Sequence, residues 1–207
     1  MQILYGAKGA GSVAPQALLT HLEVPFELKL ISFDANEHQS EAFLAVNPRG
    51  QIPVLVLDDK SVLTESLAIM LHVADSHLSS ALIPAPGSAE RAQVYRWMSF
   101  TATNVYEGLL RLLYPDMYTT NSDLSKVVES ADQYLNSAFG ILNQALSKGP
   151  WLVGGRTGVT DIYLAMLLTW YPDQQRLYEV YTNLQPSLKQ TLALEGVTRV
   201  FEENELI

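Results

Sequence analysis

Apolar and polar positions change period along this chain, and the change marks two parts of different architecture. Met1 to Tyr5 is a short apolar run and Gly6 to Gly11 is glycine-rich. Ser12 to Glu23 then sets Val13, Ala17, Leu18 and Leu22 near one face of a helix. Phe26 to Phe33 alternates as a strand does, so Met1 to Phe33 reads as a β-α-β unit. Asn47-Pro48-Arg49-Gly50 is a turn cluster, and Gln51 to Leu57 is a strand with Pro53 near its start. Proline cannot donate to a sheet ladder, so the backbone groups beside it are free for another partner. Asp58-Asp59-Lys60 has hairpin length, Ser61 to Thr64 returns as a strand, and Leu67 to His77 is a helix entered through Glu65 and Ser66.

Ser79 to Ser88, SSALIPAPGS, interrupts the periodic segments and reads as a linker. Beyond it the period is helical. Ala89 to Tyr114 is one long helical pattern, and Leu124, Val127, Val128, Ala131, Leu135, Phe139, Leu142 and Leu146 form the apolar stripe of another. Ile162 to Trp170 is apolar almost all round, which predicts a central buried helix, and Leu184 to Glu203 supplies one or two more. The expected class is therefore α/β followed by all-α: a thioredoxin-like domain over 1–78, a linker over 79–88 and an all-helical domain over 89–207.

Composition narrows the chemistry. A chain of 207 residues with 48% hydrophobic content can bury a sizeable core, and a formal charge of −9 argues against nucleic acid and anionic membrane surfaces as partners. No apolar run reaches the roughly 20 residues of a membrane span, and the N-terminus lacks the form of a secretion signal, so a cytoplasmic location is the default expectation. Cysteine is absent, which removes disulfides, thiolate metal sites and a cysteine nucleophile. His21, His38, His72 and His77 lack metal-ligand spacing, so no metal site is expected.

Two local patterns point to ligands. Gly9-Ala10-Gly11-Ser12-Val13-Ala14 fits G-x-G-x-x-A between a strand and a helix, with Asp34 following the next strand, as in a dinucleotide fingerprint. The hairpin and the helical second half do not supply the further parallel strands such a domain needs. The other pattern combines a proline-started strand at Ile52-Pro53 with a helix start at Glu65-Ser66, where unpaired N–H groups attract anions. A ligand lying along the strand near Ile52 could reach that helix start.

Asn47-Pro48 through Ile52-Pro53, together with Glu65-Ser66-Leu67-Ala68-Ile69, resemble the glutathione-binding region of the glutathione transferase superfamily. Trp151-Leu152-Val153-Gly154-Gly155-Arg156 with Thr160-Asp161-Ile162 is similar to the family's entry into its buried helix, so the resemblance covers essentially the whole chain. The nearest class likeness is to bacterial beta-type enzymes, with Gly11 where their motif carries cysteine and Tyr106 in place of their helical-domain histidine.

The resemblance implies an enzyme that binds glutathione as co-substrate, without other cofactor, and adds its thiol to a small hydrophobic electrophile or reduces a peroxide. It also implies a homodimer. The thiol-activating donor would be Ser12, at the first helix's start, or Tyr5, at the end of the first strand, with Ser12 preferred. Glutathione would meet Gln51, Ile52 and Pro53 along the strand, Glu65 and Ser66 at its γ-glutamyl end, and His38, which lies as a carboxylate-contacting histidine does in insect delta-type enzymes. Asn104, Tyr106, Arg111 and Tyr114 would line a second-substrate pocket. The alternative is a non-catalytic interaction module of the same fold, like the stringent starvation protein of bacteria.

Overall fold

Alternation in the first strand, β1 (Gln2–Gly6), sorts its side chains between two faces: Leu4 and Gly6 are buried, while Ile3 and Tyr5 are half-buried on the other side. In the computed structural model, which describes Met1–Ile207, β1 is an inner strand of a four-stranded sheet ordered β2-β1-β3-β4. It runs parallel to β2 (Phe26–Leu30) and antiparallel to β3 (Val54–Val56), and β4 (Val62–Thr64) pairs antiparallel with β3. Helices α1 (Val13–His21), α2 (Glu41–Leu44) and α3 (Ser66–Asp75) follow β1, β2 and the β3–β4 hairpin in turn, which gives the thioredoxin-like order.

The strand expected over 26–33 ends at Leu30. Ile31 still donates to the Gly6 carbonyl at 2.8 Å, but Ser32 then makes local bonds: its N–H donates to Glu37 Oε2 and its hydroxyl accepts from Ala35 N–H. Such local bonds offer the backbone an alternative to the ladder.

The chain folds as two compact units, Met1–Ile83 with Leu192–Ile207, and Pro84–Thr191. The sequence reading runs one helical domain from 89 to 207, whereas the structure places α10 (Glu195–Glu203) in the first unit. The contact with α1 explains why. A Cβ on Gly196 would lie 2.6 Å from His21 Cα and 2.9 Å from its N, so the two backbones approach as closely as glycine allows.

The second unit holds α4 (Ala89–Phe100), α5 (Glu107–Leu113), α6 (Ser125–Ala145), α7 (Val159–Trp170), α8 (Gln174–Val180) and α9 (Leu184–Thr191). Between α4 and α5 the helix widens to a π segment over Thr101–Tyr106. There the Thr101 hydroxyl donates to the Trp97 and Met98 carbonyls, Thr103 donates to Ser99 O, and Asn104 Nδ2 donates to Phe100 O. Side chains thus take up carbonyls at the place where the regular ladder breaks. Periodicity alone shows only a continuous helical pattern.

Every residue of α7 from Val159 to Leu168 is buried, as its all-round apolar character predicts. Its one carboxylate, on Asp161, is 1% exposed and accepts N–H from Leu152 and Gly158, each at 2.9 Å. Burial pushes the Asp161 carboxyl up to about 7, and the two N–H donors oppose that shift. The residue ties the preceding loop to the first turn of the helix. No helix of the chain is long and apolar enough to cross a membrane.

Candidate functional site

The antiparallel register sets Val54 opposite Thr64. That is the last pair of the ladder, so Ile52-Pro53 enters and Glu65-Ser66 leaves the hairpin at the same end, and the two halves of the sequence signature flank it. The Ile52–Pro53 peptide bond is cis. Neither the N–H nor the C=O of Ile52 has a hydrogen-bond partner within the chain, so the backbone just before β3 remains open at this residue. The preceding loop is fixed by Asn47, which is buried, donates from Nδ2 to Gln51 O at 2.7 Å and accepts Arg49 N–H at 3.2 Å. Gln51 itself is exposed.

Glu65 stands at φ 65°, ψ 112°, a backbone region that a side chain rarely adopts, and so breaks the β4 direction just before α3 begins. Its carboxylate lies 3.4 Å from Arg49 Nη1, with both side chains about two-thirds exposed. A pair this exposed is worth little and yields readily to a better cation. Ser66 is buried at the first position of α3. His38 is half-buried with its ring 4.9 Å from that of Phe33, and its Nδ1 is buried without a partner. The carbonyl of His38 would be 2.9 Å from a Cβ on Gly50, so the His38 turn packs directly under the Asn47–Gly50 turn.

The structure separates the two candidate thiol donors. Ser12 is 1% exposed, and its hydroxyl both accepts Ala7 N–H and donates to Ala7 O, each at 3.1 Å. A Cβ on Gly6 would lie 2.6 Å from that hydroxyl oxygen, which puts Ser12 on the Leu4 and Gly6 face of β1. Tyr5 points the other way: its ring is 5.6 Å from Phe43, with the Lys29 ammonium 5.7 Å from its centroid. The Ser12 hydroxyl is committed to the Ala7 peptide, and Tyr5 belongs to the α2 side of the sheet. What the loop leaves open is backbone, since the N–H groups of Gly11 and Ser12 have no acceptor within the chain.

Sequence reasoning missed Asn204. Its Oδ1 accepts Gly9 N–H at 3.1 Å across 195 positions of sequence, and no local pattern around Asn204 signals that contact.

In the second unit, Asn104 Oδ1 accepts the Tyr134 hydroxyl, and Tyr106 packs edge-on against Trp170 at 5.1 Å. Arg111 lies over the Tyr118 ring at 5.4 Å, and Tyr114 is exposed. An open cleft of about 430 Å³ is lined by Arg111, Tyr118, Lys126, Val127, Ser130, Ala131 and Tyr134. It takes in only Arg111 of the four residues expected to share a pocket. No group of three or more His, Asp or Glu residues is placed to hold a metal ion.

Comparison with known proteins accounts for both units. Residues 2–75 match the model of the glutathione S-transferase N-terminal domain, and residues 109–196 match that of the C-terminal domain. The glutathione S-transferase GstA of Escherichia coli O157:H7 is 32% identical over 88% of this chain and 85% of its own. An uncharacterised GST-like protein of Escherichia coli K12, YncG, is 28% identical over 99% of this chain and 98% of its own. Among solved structures, a sphingomonad glutathione S-transferase complexed with glutathione superposes with a TM-score of 0.83 at 27% identity, covering 99% of this chain and 100% of that one.

Proposed function

Because the chain belongs to the glutathione transferase superfamily, we propose that it binds glutathione along Ile52-Pro53 and Glu65-Ser66 and transfers the thiolate to a small hydrophobic electrophile, or reduces a peroxide with it. The observation that carries this reading is the open backbone at Ile52, at the same end of the β3–β4 hairpin as Glu65 and the start of α3. Glutathione is an extended peptide with a cysteinyl amide in its middle and an ammonium and carboxylate at its γ-glutamyl end. The amide pairs antiparallel with Ile52 N–H and C=O in the manner of an added strand. The Glu65 carboxylate takes the ammonium, replacing the exposed Arg49 contact, and the N-terminus of α3 with Ser66 takes the α-carboxylate. Gln51 and His38 flank the strand and the turn beneath it as further contacts.

The sulfur then meets the Gly6–Gly11 loop, where the N–H groups of Gly11 and Ser12 stabilise the thiolate through hydrogen bonds and the field of the α1 N-terminus. The thiol proton leaves to solvent, the sulfur lone pair forms the bond to the electrophilic carbon, and the leaving group departs with its electron pair. Asn104, Tyr106, Arg111 and Tyr114 remain the proposed contacts of the second substrate. A homodimer and a cytoplasmic location belong to the same proposal, and sedimentation equilibrium checks the first.

A second reading, glutathione binding without transfer by an interaction module, is favoured by the commitment of the Ser12 hydroxyl to Ala7. Calorimetric titration with glutathione, followed by assay with chlorodinitrobenzene and cumene hydroperoxide, separates the two. Binding with turnover supports the enzyme and binding without turnover supports the module. Absence of binding at millimolar glutathione overturns both. Glu65→Gln, which loses a charge-assisted bond to the ammonium, is expected to weaken binding by about tenfold or more.

A further inference from the structure

We infer that Asn204, at the C-terminus of α10, is a positioning residue for thiol activation: it holds Gly9 and, through it, the unpaired N–H groups of Gly11 and Ser12. This rests on the reading above, in which those groups face the sulfur.

The loop from Ala7 to Ser12 has little of its own to hold it. Gly9 adopts φ 67° and, like Gly11, offers no side chain as an anchor. Within the loop, Ala10 N–H reaches Ala7 O at 3.2 Å, and the Ser12 hydroxyl brackets the Ala7 peptide. From outside the loop and α1, the one hydrogen bond to its backbone is the 3.1 Å bond from Gly9 N–H to Asn204 Oδ1.

Asn204 is itself held in place. It is 8% exposed, and its Nδ2 donates to Val200 O at 2.8 Å and to Gln16 Oε1 at 3.3 Å, so a single amide joins the loop, α1 and α10. The backbone beyond it is fixed by a left-handed helix end: Glu205 has φ 57°, its N–H reaches Glu202 O, and Leu206 N–H reaches Phe201 O. That pattern terminates a helix firmly and orients the residue before the turn. Beside it, Lys8 Nζ lies 2.5 Å from Glu205 Oε1, an exposed pair of minor worth. The Asn204 bond is buried, so its loss leaves the Gly9 N–H without a partner and the loop without its outside anchor.

A residue that merely stabilised the fold would not alter the acidity of the bound thiol selectively. The test is a pH titration of thiolate absorbance for glutathione bound to the full chain, in wild type, Asn204→Ala and Asn204→Asp, beside titrations with S-methylglutathione, which has no thiol to ionise. Asn204→Ala is expected to raise the thiolate midpoint by about one pH unit, a tenfold loss of thiolate below the midpoint. Its affinity for S-methylglutathione should stay within about twofold. Asn204→Asp keeps an acceptor for Gly9 N–H but sets a carboxylate oxygen against Val200 O and Gln16 Oε1 and adds a negative charge near the loop, so its midpoint is also expected to lie above that of wild type. If Asn204→Ala does not fold, Asn204→Ser, whose hydroxyl is too short to reach Gly9, carries the same expectation. An unchanged midpoint in the variant, or an equal loss of affinity for both ligands, overturns the positioning role alone. A wild type that binds glutathione without lowering its thiol midpoint below the free value of about 8.5 overturns the proposed activation by Gly11 and Ser12 and this inference with it. A wild type that binds no glutathione overturns the functional reading and everything resting on it.

Discussion

Removing the Asp161 carboxylate tests how the buried helix of the second unit is held. Asp161→Ala takes the acceptor from two N–H groups, those of Leu152 and Gly158, which the carboxylate meets at 2.9 Å each in a site only 1% exposed. An orphaned buried donor costs about 1–3 kcal/mol, so the pair amounts to about 2–6 kcal/mol. Asp161→Asn keeps one acceptor oxygen and turns an NH₂ toward the other donor, for a loss of about 1–3 kcal/mol. The pH dependence adds a second, independent reading. Burial raises the carboxyl from 3.8 to about 7, so between those values the folded chain holds a proton that the unfolded chain has released. The stability this group contributes is therefore complete below about pH 4 and is lost as pH rises toward 7. Wild type should lead Asp161→Asn by most at pH 4, and the gap should narrow up to about pH 7 and then stay flat. Urea denaturation followed by circular dichroism, at several pH values for each variant, measures both quantities. Asp161→Ala within about 0.5 kcal/mol of wild type would refute the role of the two N–H groups, and a gap that widens from pH 4 to 7 would show that hydrogen bonding, not burial, governs the carboxyl.

Ser12→Ala leaves Ala7 N–H buried and unpaired, so a loss of about 1–3 kcal/mol is expected in thermal melts. Tyr5→Phe, on the α2 side of the sheet, should leave glutathione turnover within about twofold; a loss of a hundredfold would return Tyr5 to the chemistry. Gly196→Ala drives a Cβ into the His21 backbone, and calorimetry should show a loss of about 1–3 kcal/mol as α1 and α10 are forced apart. Burial lowers the pKa of His21, so the unfolded chain binds its proton first as pH falls below 6.5 and stability drops. Between pH 7.5 and 5.5 the melting temperature of His21→Gln should accordingly fall less than that of wild type.

Much of the architecture could be read from period alone. The short apolar run of β1, the proline-started strand at Ile52-Pro53 and the unbroken apolar run of α7 each imply one local structure, and the order of elements implies the sheet. The pattern that resembles a glutathione-binding region could be picked out for the same reason: its two halves lie in neighbouring segments of sequence, at the two ends of one hairpin. Ser12 and Tyr5 were legible as residue types but not as orientations. A hydroxyl at a helix start suits a cap, a loop brace or a thiol donor equally, and only the packing of Gly6 against Ser12 and of Phe43 against Tyr5 distinguishes these uses.

Sequence by itself therefore determined the thioredoxin-like first part, the helical second part and the hairpin flanked by Ile52-Pro53 and Glu65-Ser66, because each depends on bonds and periods that span a few residues. Tertiary structure decided that Leu192–Ile207 returns to the first unit, that the Ser12 hydroxyl turns inward to Ala7, and that Asn204 fastens the loop at Gly9. Those outcomes depend on contacts between segments far apart along the chain. Side-chain periodicity shows which face of a helix is buried, but it does not show which distant element that face will meet.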